Sequence, residues 1–508
     1  MRIIFEKIIN LGKMIDEFDI AFENHSFDGI NLSTLTIIEE NIKEIQNQQL
    51  TSDELIPFKY TVSNYYLILI DLATQKFDEV QRFSEKLKTW MKFEEAYLDI
   101  KTERIQLYRQ ALALYDSNSR VSNKYVAQIS TNLGNIYNEM GRIVESIDVL
   151  NQAYNSIDKF PMALGNHAIK CFTLSNYCID QKVVKYLLEL SLSELKNLLE
   201  SNVDYDFIAE DQMIAFEKWK KLVEELIQNK WLFVDSWNKS IDVNSPYKSW
   251  CSNSQFALNY INVASFNGNI DDIHIPNMGI SYWGDDDGKM TYYSWFNTIK
   301  QEFNTARYSL YLTDKLNYEI HESQENNILI NTLDYPEIGY KTELLKSSLK
   351  TAYGILDKIG LFCSHFFNVK TSPGRLDFNK WYANVEIQVA LSSPFHALYW
   401  LSKDLDFKSG HFKNIRRLRN VVEHRYLRVL EYHSVTISDE LEDTNKYEYI
   451  VSYTDLLSIT IETLKLVRSA IFYIVNGFNA MYLNLISKNK DKFFIPLMLD
   501  MYEDEWKN

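Results

Sequence analysis

Proline is missing from two long stretches of this chain, and no other feature narrows its fold as much. None occurs between Pro57 and Pro161 or between Pro394 and Pro496, and all 508 residues together hold 8 Pro and 15 Gly. Proline locks φ and removes a backbone donor, so intervals free of it permit long helices. A hydrophobic content of 46% lets such helices bury a large core, and the length suits two or three domains. The expected class is all-α.

Residues 1–55 show helical periodicity with frequent charges and are read as an N-terminal helical segment of one or two amphipathic helices. From 56 to 235 the pattern becomes helix after helix with short polar breaks. Its clearest unit, NLGNIYNEMGR (Asn132–Arg142), places Leu133, Gly134 and Tyr137 where a tetratricopeptide repeat needs a small residue and an aromatic; Ala153 falls where the second helix wants a small side chain. Ser130 and Ser146 depart from that pattern. Leu164 and Gly165 open a related unit, and Asn64–Lys76 reads as a distant upstream copy. Stacked hairpins bury a core only against neighbours, so several irregular ones are expected. Their concave face suits docking of a peptide or protein; a spacer without a ligand is the competing reading.

From 236 to 290 Asn, Ser, Asp and Gly crowd together, which marks a loop-rich connector. Trp231, Trp237, Tyr247, Trp250, Phe256 and Tyr260 run through or beside it, so it is expected to pack rather than hang free. The DDDG at Asp285–Gly288 lacks the spaced ligands and closing Glu of a calcium loop. The last domain, 291–508, is expected to be a bundle of four or five helices: Tyr292–Glu322, Lys341–Phe367, Phe395–Asp406, the His411–Tyr432 stretch and Tyr453–Ile486. Phe303, Ala306 and Leu310 share a stripe of the first. Asp357 and Lys358 interrupt the apolar run of the second, either near a site or in a salt bridge.

The chemistry is expected in HFKNIRRLRNVVEHRYLRVLEY, His411–Tyr432. Ile415, Leu418, Val422 and Val429 recur at helical spacing, which gives one stripe to a core. Asn420 and His424 stand a turn apart on the polar side, and Arg419 lies about 140° around the helix from His424 at roughly 100° per residue. Lys413, Arg416, Arg417, Arg419, Arg425 and Arg428 face one acid, Glu423, within a chain of net charge -16. A cationic patch on an acidic protein suits a phosphate-bearing ligand that docks in one place, whereas a pI near 5.2 argues against a general nucleic-acid coat. Histidine titrates near neutral pH and arginine offers a fixed fork of donors, so the pair can move the proton of a 2′-hydroxyl or leaving group and neutralise charge on phosphorus without a metal. Against this stands the reading in which His424 packs a helix and the arginines are solvated.

RNVVEH resembles the HEPN signature, an Arg, a polar residue and a His after four to six intervening positions, here filled by Arg419, Asn420 and His424. With QEFNTARYSLYL and HALYWLSKDL it resembles a HEPN family in which a tetratricopeptide-like region precedes the HEPN domain, over about Trp231–Ile486 with a looser match upstream. The resemblance implies a helical bundle that pairs with a second copy, and an RNA-cleaving endoribonuclease of the toxin or antiviral kind with the repeat region as sensor or regulator. It implies His424 as general acid/base, Arg419 on the scissile phosphate and Asn420 orienting His424 or binding a phosphate oxygen. Arg416, Arg417, Arg425 and Arg428 would be substrate contacts. The alternative is a non-catalytic scaffold that binds nucleotide, RNA or a protein partner.

No cofactor or metal is called for. Cys171 and Cys178 are too far apart for a CxxC pair, and four thiols in such a chain read as reduced and intracellular. The N-terminus lacks a signal-peptide core, and the apolar window Ser469–Phe478 is shorter than the ~20 residues that cross a bilayer, so a cytoplasmic protein without a membrane partner is expected.

Overall fold

The computed structural model describes residues 2–24, 32–78, 100–115, 123–156, 160–200, 208, 210–235, 245–268, 270–276, 289–316, 322–369, 378, 393–406, 412–431 and 447–488. Trp237, the DDDG stretch, Pro373, Gly374, His411 and Tyr432 lie outside them. The fold is all-α among the described residues apart from one pair of short strands. The chain divides into two compact units, each of which is assembled from several segments: Met1–Tyr137, Asp148–His167 and Glu194–Phe216 in the first, Asn138–Ile147, Ala168–Ser193 and Glu217–Asn508 in the second.

In the first unit, α1 (Arg2–Asn24) and α2 (Leu32–Gln46) pack with α3 (Ser52–Asp78). Ile8, Leu11, Ile15 and Phe18 recur at three- and four-residue steps along α1 and meet Ile38, Phe58, Val62 and Tyr65. The expected division at residue 55 therefore falls inside α3. That helix starts with a one-sided cap: the Glu54 carboxylate accepts from the Thr51 amide at 3.0 Å and from its hydroxyl at 2.8 Å. The Thr51 bonds hold the Glu54 carboxyl below its ordinary value. Asn64–Lys76, which reads as a distant upstream copy of the repeat, lies in the second half of α3, one unbroken helix.

The helix over 100–114, α4, brings Tyr108 beside Tyr60, and Arg109 donates to the Tyr137 hydroxyl at 2.7 Å. The repeat-like unit forms α5 (Asn123–Glu139) and α6 (Ile143–Ser156), and α7 (Pro161–Ser175) and α8 (Gln181–Glu200) follow. Leu133, Gly134, Tyr137 and Ala153 are buried, as are Ser130 and Ser146. Gly165 sits where the Phe216 ring, from α9 (Glu210–Leu226), leaves no room for a Cβ.

The second unit is built around its last helix. The window Ser469–Phe478 is buried all round, and it forms the middle of a 36-residue helix, Tyr453–Lys488, which is clad by others. No helix of the described residues is long and apolar enough to cross a membrane. Four helices precede it in the bundle: α12 (Lys289–Lys315), α13 (Tyr340–Phe366), α14 (Ser393–Asp404) and α15 (Lys413–His424), with the long one as α16. Phe303, Ala306 and Leu310 are buried on α12, and Ser348 of α13 donates to the Ala306 carbonyl at 2.8 Å. Gly477 lets the Phe395 ring of α14 occupy the place of a Cβ.

The described part of the Asn- and Ser-rich stretch is folded into this core. It forms α10 (Pro246–Asn253) and α11 (Tyr260–Ser265), with Phe256, Leu258, Ile261 and Val263 buried. Its polar side chains stand in for absent helical bonds: Asn259 Oδ1 accepts from the amides of Ile261 (2.7 Å) and Asn262 (3.2 Å), and the Asn262 amide group donates to the Ser252 carbonyl at 3.0 Å.

The expected helix from His411 to Tyr432 stops at His424. Arg425 turns extended (φ -139°, ψ 176°) and the chain continues as β1 (Tyr426–Leu430), paired in parallel with β2 (Glu448–Ser452), Tyr426 opposite Glu448. Val429 is buried from the strand, and the buried stripe of α15 is Ile415, Leu418 and Val421, with Val422 only partly covered. Leu427 and Val429 also alternate at period two, the signature of a strand. A second contact holds β1 on its other side, where the Glu337 amide donates to the Val429 carbonyl at 2.8 Å.

Candidate functional site

Helix α15 ends at a corner of the second unit, and the buried stripe of Ile415, Leu418 and Val421 orients the residues between. Arg419 leans toward α13. Its Nη1 donates to Asn420 Oδ1 at 3.0 Å and its Nη2 to Asp357 Oδ2 at 3.3 Å, while Glu423 Oε2 lies 3.4 Å from Nη1. The guanidinium sits 5.2 Å from the centre of the Tyr353 ring, a cation–π distance. Tyr353 and Asp357 are one turn apart on α13, so one helix face supplies a ring beneath the fork and a carboxylate at its tip. Asp357 is itself held, because Oδ1 accepts from the Phe378 amide at 3.3 Å.

The result is a guanidinium fixed from four directions yet reachable, with 25% of its side chain exposed. His424, the last residue of the helix, has 71% of its side chain in solvent, and its Nε2 lies 3.6 Å from Glu423 Oε2, beyond hydrogen-bonding distance. Arg425 and Tyr426 are exposed beside it. Lys350 of α13 reaches within 3.9 Å of Glu423. Arg419, Asn420 and His424 thus stand at one corner as the spacing requires. The Asn420 carbonyl accepts from Arg419 in this structure.

The outlying cations separate into distinct roles. Arg428 lies on β1 and is clamped between Asp334 (2.7 Å) and Glu448 (3.1 Å), which makes it a brace of the small sheet rather than a group facing the corner. Thr332, the Asp334 backbone and Arg428 hold the Asp334 carboxyl below its ordinary value. Arg417 acts electrostatically on Tyr449 of β2, whose hydroxyl is pushed up by burial and partly offset by that charge. Arg416 is half-buried, and Arg425 is the exposed cation nearest His424 in the chain. Lys358 makes a salt bridge with Glu302, whereas Asp357 belongs to the corner. Tyr353 was not singled out by the sequence; its place four residues before Asp357 on α13 is the signal that marks it, whereas Glu423, the one acid among the cations, takes a place beside Arg419.

Away from the corner two buried arginines of this unit are structural. Arg307 donates to both oxygens of Asp271 (2.9 and 2.6 Å), to the Phe256 carbonyl (2.7 Å) and to the Tyr247 hydroxyl (2.8 Å). Arg142, fully buried, pairs with Asp404 at 2.8 Å and with Glu145, which accepts from Tyr473 at 3.0 Å. All four cysteines are buried and none is in a disulfide. Burial pushes Cys251 up to about 11 and also raises Cys178 and Cys363.

No curated protein and no solved structure matches this chain. Residues 284–480 match the family model described as LA2681-like HEPN, a span that covers α12 through most of α16 and includes Arg419, Asn420 and His424. That match supports a HEPN domain in the C-terminal part of the chain.

Proposed function

We propose that the C-terminal bundle is a metal-independent endoribonuclease that cleaves RNA by attack of the 2′-hydroxyl. The observation that carries this reading is the pairing, at one exposed corner, of a solvated imidazole with a guanidinium whose orientation is already set by Asp357, Asn420, Glu423 and Tyr353. A preorganised donor fork loses little freedom when charge gathers on a phosphate, which is what transition-state stabilisation demands. His424 takes the proton of the 2′-hydroxyl or returns one to the 5′ oxygen as it leaves. Arg419 neutralises the non-bridging oxygens, and Asn420 and Asp357 hold Arg419 in place. Arg425 contacts the flanking backbone of the RNA, with Arg416 and Arg417 as more distant contributors.

One imidazole serves one side of the phosphate, and cleavage gains from a base and an acid on opposite sides. A second copy of the chain related by a two-fold axis supplies the other histidine. In this reading the protein is a cytoplasmic toxin or antiviral effector, and the tetratricopeptide-like stretch within 56–235 is its sensor or regulator through a protein or peptide partner.

His424→Ala is expected to keep its helical signal and self-association while losing cleavage of single-stranded RNA in EDTA; equal cleavage by variant and wild type sinks the assignment. A second reading, a HEPN scaffold that binds nucleotide, RNA or a protein without cutting, is favoured by one observation: Arg419 already faces two carboxylates, which lowers its net pull on a phosphate. End analysis separates the two. A 2′,3′-cyclic phosphate marks catalysis, and retardation of intact RNA marks binding.

A further inference from the structure

One carboxylate oxygen at the corner stands where a ligand oxygen has to stand. Glu423 Oε2 lies 3.4 Å from Arg419 Nη1 and 3.6 Å from His424 Nε2, so it bridges the guanidinium and the imidazole. A phosphate held by those two groups needs an oxygen in the same gap. The other carboxylate oxygen, Oε1, lies 3.9 Å from Lys350 Nζ on α13, and the Lys350 side chain is 56% exposed. Lys350, Tyr353 and Asp357 follow one another at three- and four-residue steps, so the helix face that holds Arg419 also presents this cation.

Glu423 is bound loosely and sits badly for its own helix. Its three contacts all exceed the about 2.7–2.9 Å of a charge-assisted hydrogen bond. Arg419 has hydrogen bonds to Asn420 at 3.0 Å and Asp357 at 3.3 Å in which Glu423 takes no part, and Glu423 adds only a longer contact. As the next-to-last residue of α15, Glu423 meets the partial negative charge of the terminal carbonyls, which disfavours a carboxylate there. In its pair with Arg419 the acid follows the cation, the weaker of the two orders along a helix. A carboxylate that spans the two groups of the corner without gripping either is suited to being displaced.

We propose that Glu423 is a built-in competitor of the ligand: its carboxylate holds the place of an RNA phosphate in the free protein and moves to Lys350 when that phosphate enters. The proposal rests on the reading that Arg419 and His424 receive a phosphodiester. Charge decides the exchange. Phosphate and carboxylate are both anions and cannot share the gap, and Lys350 offers the displaced group a counter-charge close by. A neutral group gains nothing by displacing Glu423, so the corner selects for an anion. The two carboxylates that face Arg419 therefore part company: Asp357 stays as the anchor, and Glu423 leaves.

The test uses the full chain and a short single-stranded RNA analogue without 2′-hydroxyls, whose binding is followed by fluorescence anisotropy at one low salt concentration. Circular dichroism and the unfolding midpoint serve as the fold control. Glu423→Gln keeps the shape and removes the charge. It is expected to bind the analogue about 5-fold more tightly, the upper range for a part-exposed ion pair, and to lower KM for cleavable RNA in parallel. Lys350→Met should weaken binding roughly 3-fold in the wild-type background and not at all beside Glu423→Gln, because no displaced carboxylate is left to receive. Equal or weaker binding by Glu423→Gln overturns the proposal, and so does a fall in kcat at constant KM, which marks Glu423 as an anchor of Arg419. An equal loss from Lys350→Met in both backgrounds overturns the exchange, since it marks a direct contact between Lys350 and RNA. Tighter binding by Glu423→Gln, with a wild type that never cuts RNA, upholds the competitor and defeats the ribonuclease reading. An analogue that neither protein binds overturns the proposal together with the phosphate reading of the corner.

Discussion

Arg307 and Arg419 belong to the same unit and stand in opposite surroundings. Arg307 is buried on α12 and spends its donors on Asp271, Tyr247 and the Phe256 carbonyl at 2.6–2.9 Å. Burial alone would push the Asp271 carboxyl up, but the charge and hydrogen bonds of Arg307, with the Leu258 amide, hold it below its ordinary value. Arg419 also faces two carboxylates, but at 3.3 and 3.4 Å, and it keeps part of its side chain in water beside an unburied imidazole. The interior pair is closed to any newcomer, whereas the corner pair is steered yet still reachable. A charge that holds a fold and a charge that awaits a ligand differ here in slack, not in residue type.

That contrast can be broken most sharply at His424. His424→Ala should lower the cleavage rate about 10³-fold, the usual scale for a lost general acid or base, without moving the unfolding midpoint. Arg307→Met should do the reverse: Asp271 is left charged and buried, which costs about 3–5 kcal/mol, read from urea or thermal unfolding followed by circular dichroism. Asp357→Asn sits between them. It keeps stability within about 1 kcal/mol, because the pair is part-exposed, and lowers the cleavage rate about 10-fold as the guanidinium loses its anchor, a change visible in single-turnover kinetics.

Acid sharpens the same comparison. A carboxylate depressed in the folded state contributes stability that is complete above its unfolded value, about 4, and is lost as pH falls through the lower folded value. The Asp271 contribution should therefore persist at neutral pH and decline progressively as pH falls below about 4, and the Asp271→Asn variant should show a flatter acid limb in unfolding. The smallest effect expected is at the thiols. Cys178, Cys251 and Cys363 are buried with raised values, so a native sample should resist alkylation at neutral pH and react once unfolded, as mass spectrometry would show.

The Arg419–His424 spacing was legible because a helix turns by a fixed angle for each residue, which puts two positions at one corner whatever else the chain does. The end of that helix was misjudged for a related reason: Val422 and Val429 are seven apart, a helical interval, while Leu427 and Val429 alternate as a strand does. The strand won because β2 and the Pro336 segment offered it partners. Asn and Ser favour turns, so by sequence the stretch reads as a connector, yet buried Asn259 and Asn262 use their side chains to satisfy backbone groups inside a core.

Helical class needed no knowledge of the fold, because the helical hydrogen bond joins residues four apart and proline either forbids it or is absent. The identity of the Arg and His at the corner was equally local. Their surroundings were not. Asp357 meets Arg419 across 62 positions of chain, Tyr353 lies on that same distant helix, and Arg428 finds Asp334 and Glu448 on opposite sides of β1. Ion pairs and strand ladders join groups that only packing brings together, so the difference between a brace, an anchored donor and an exposed imidazole was settled in three dimensions.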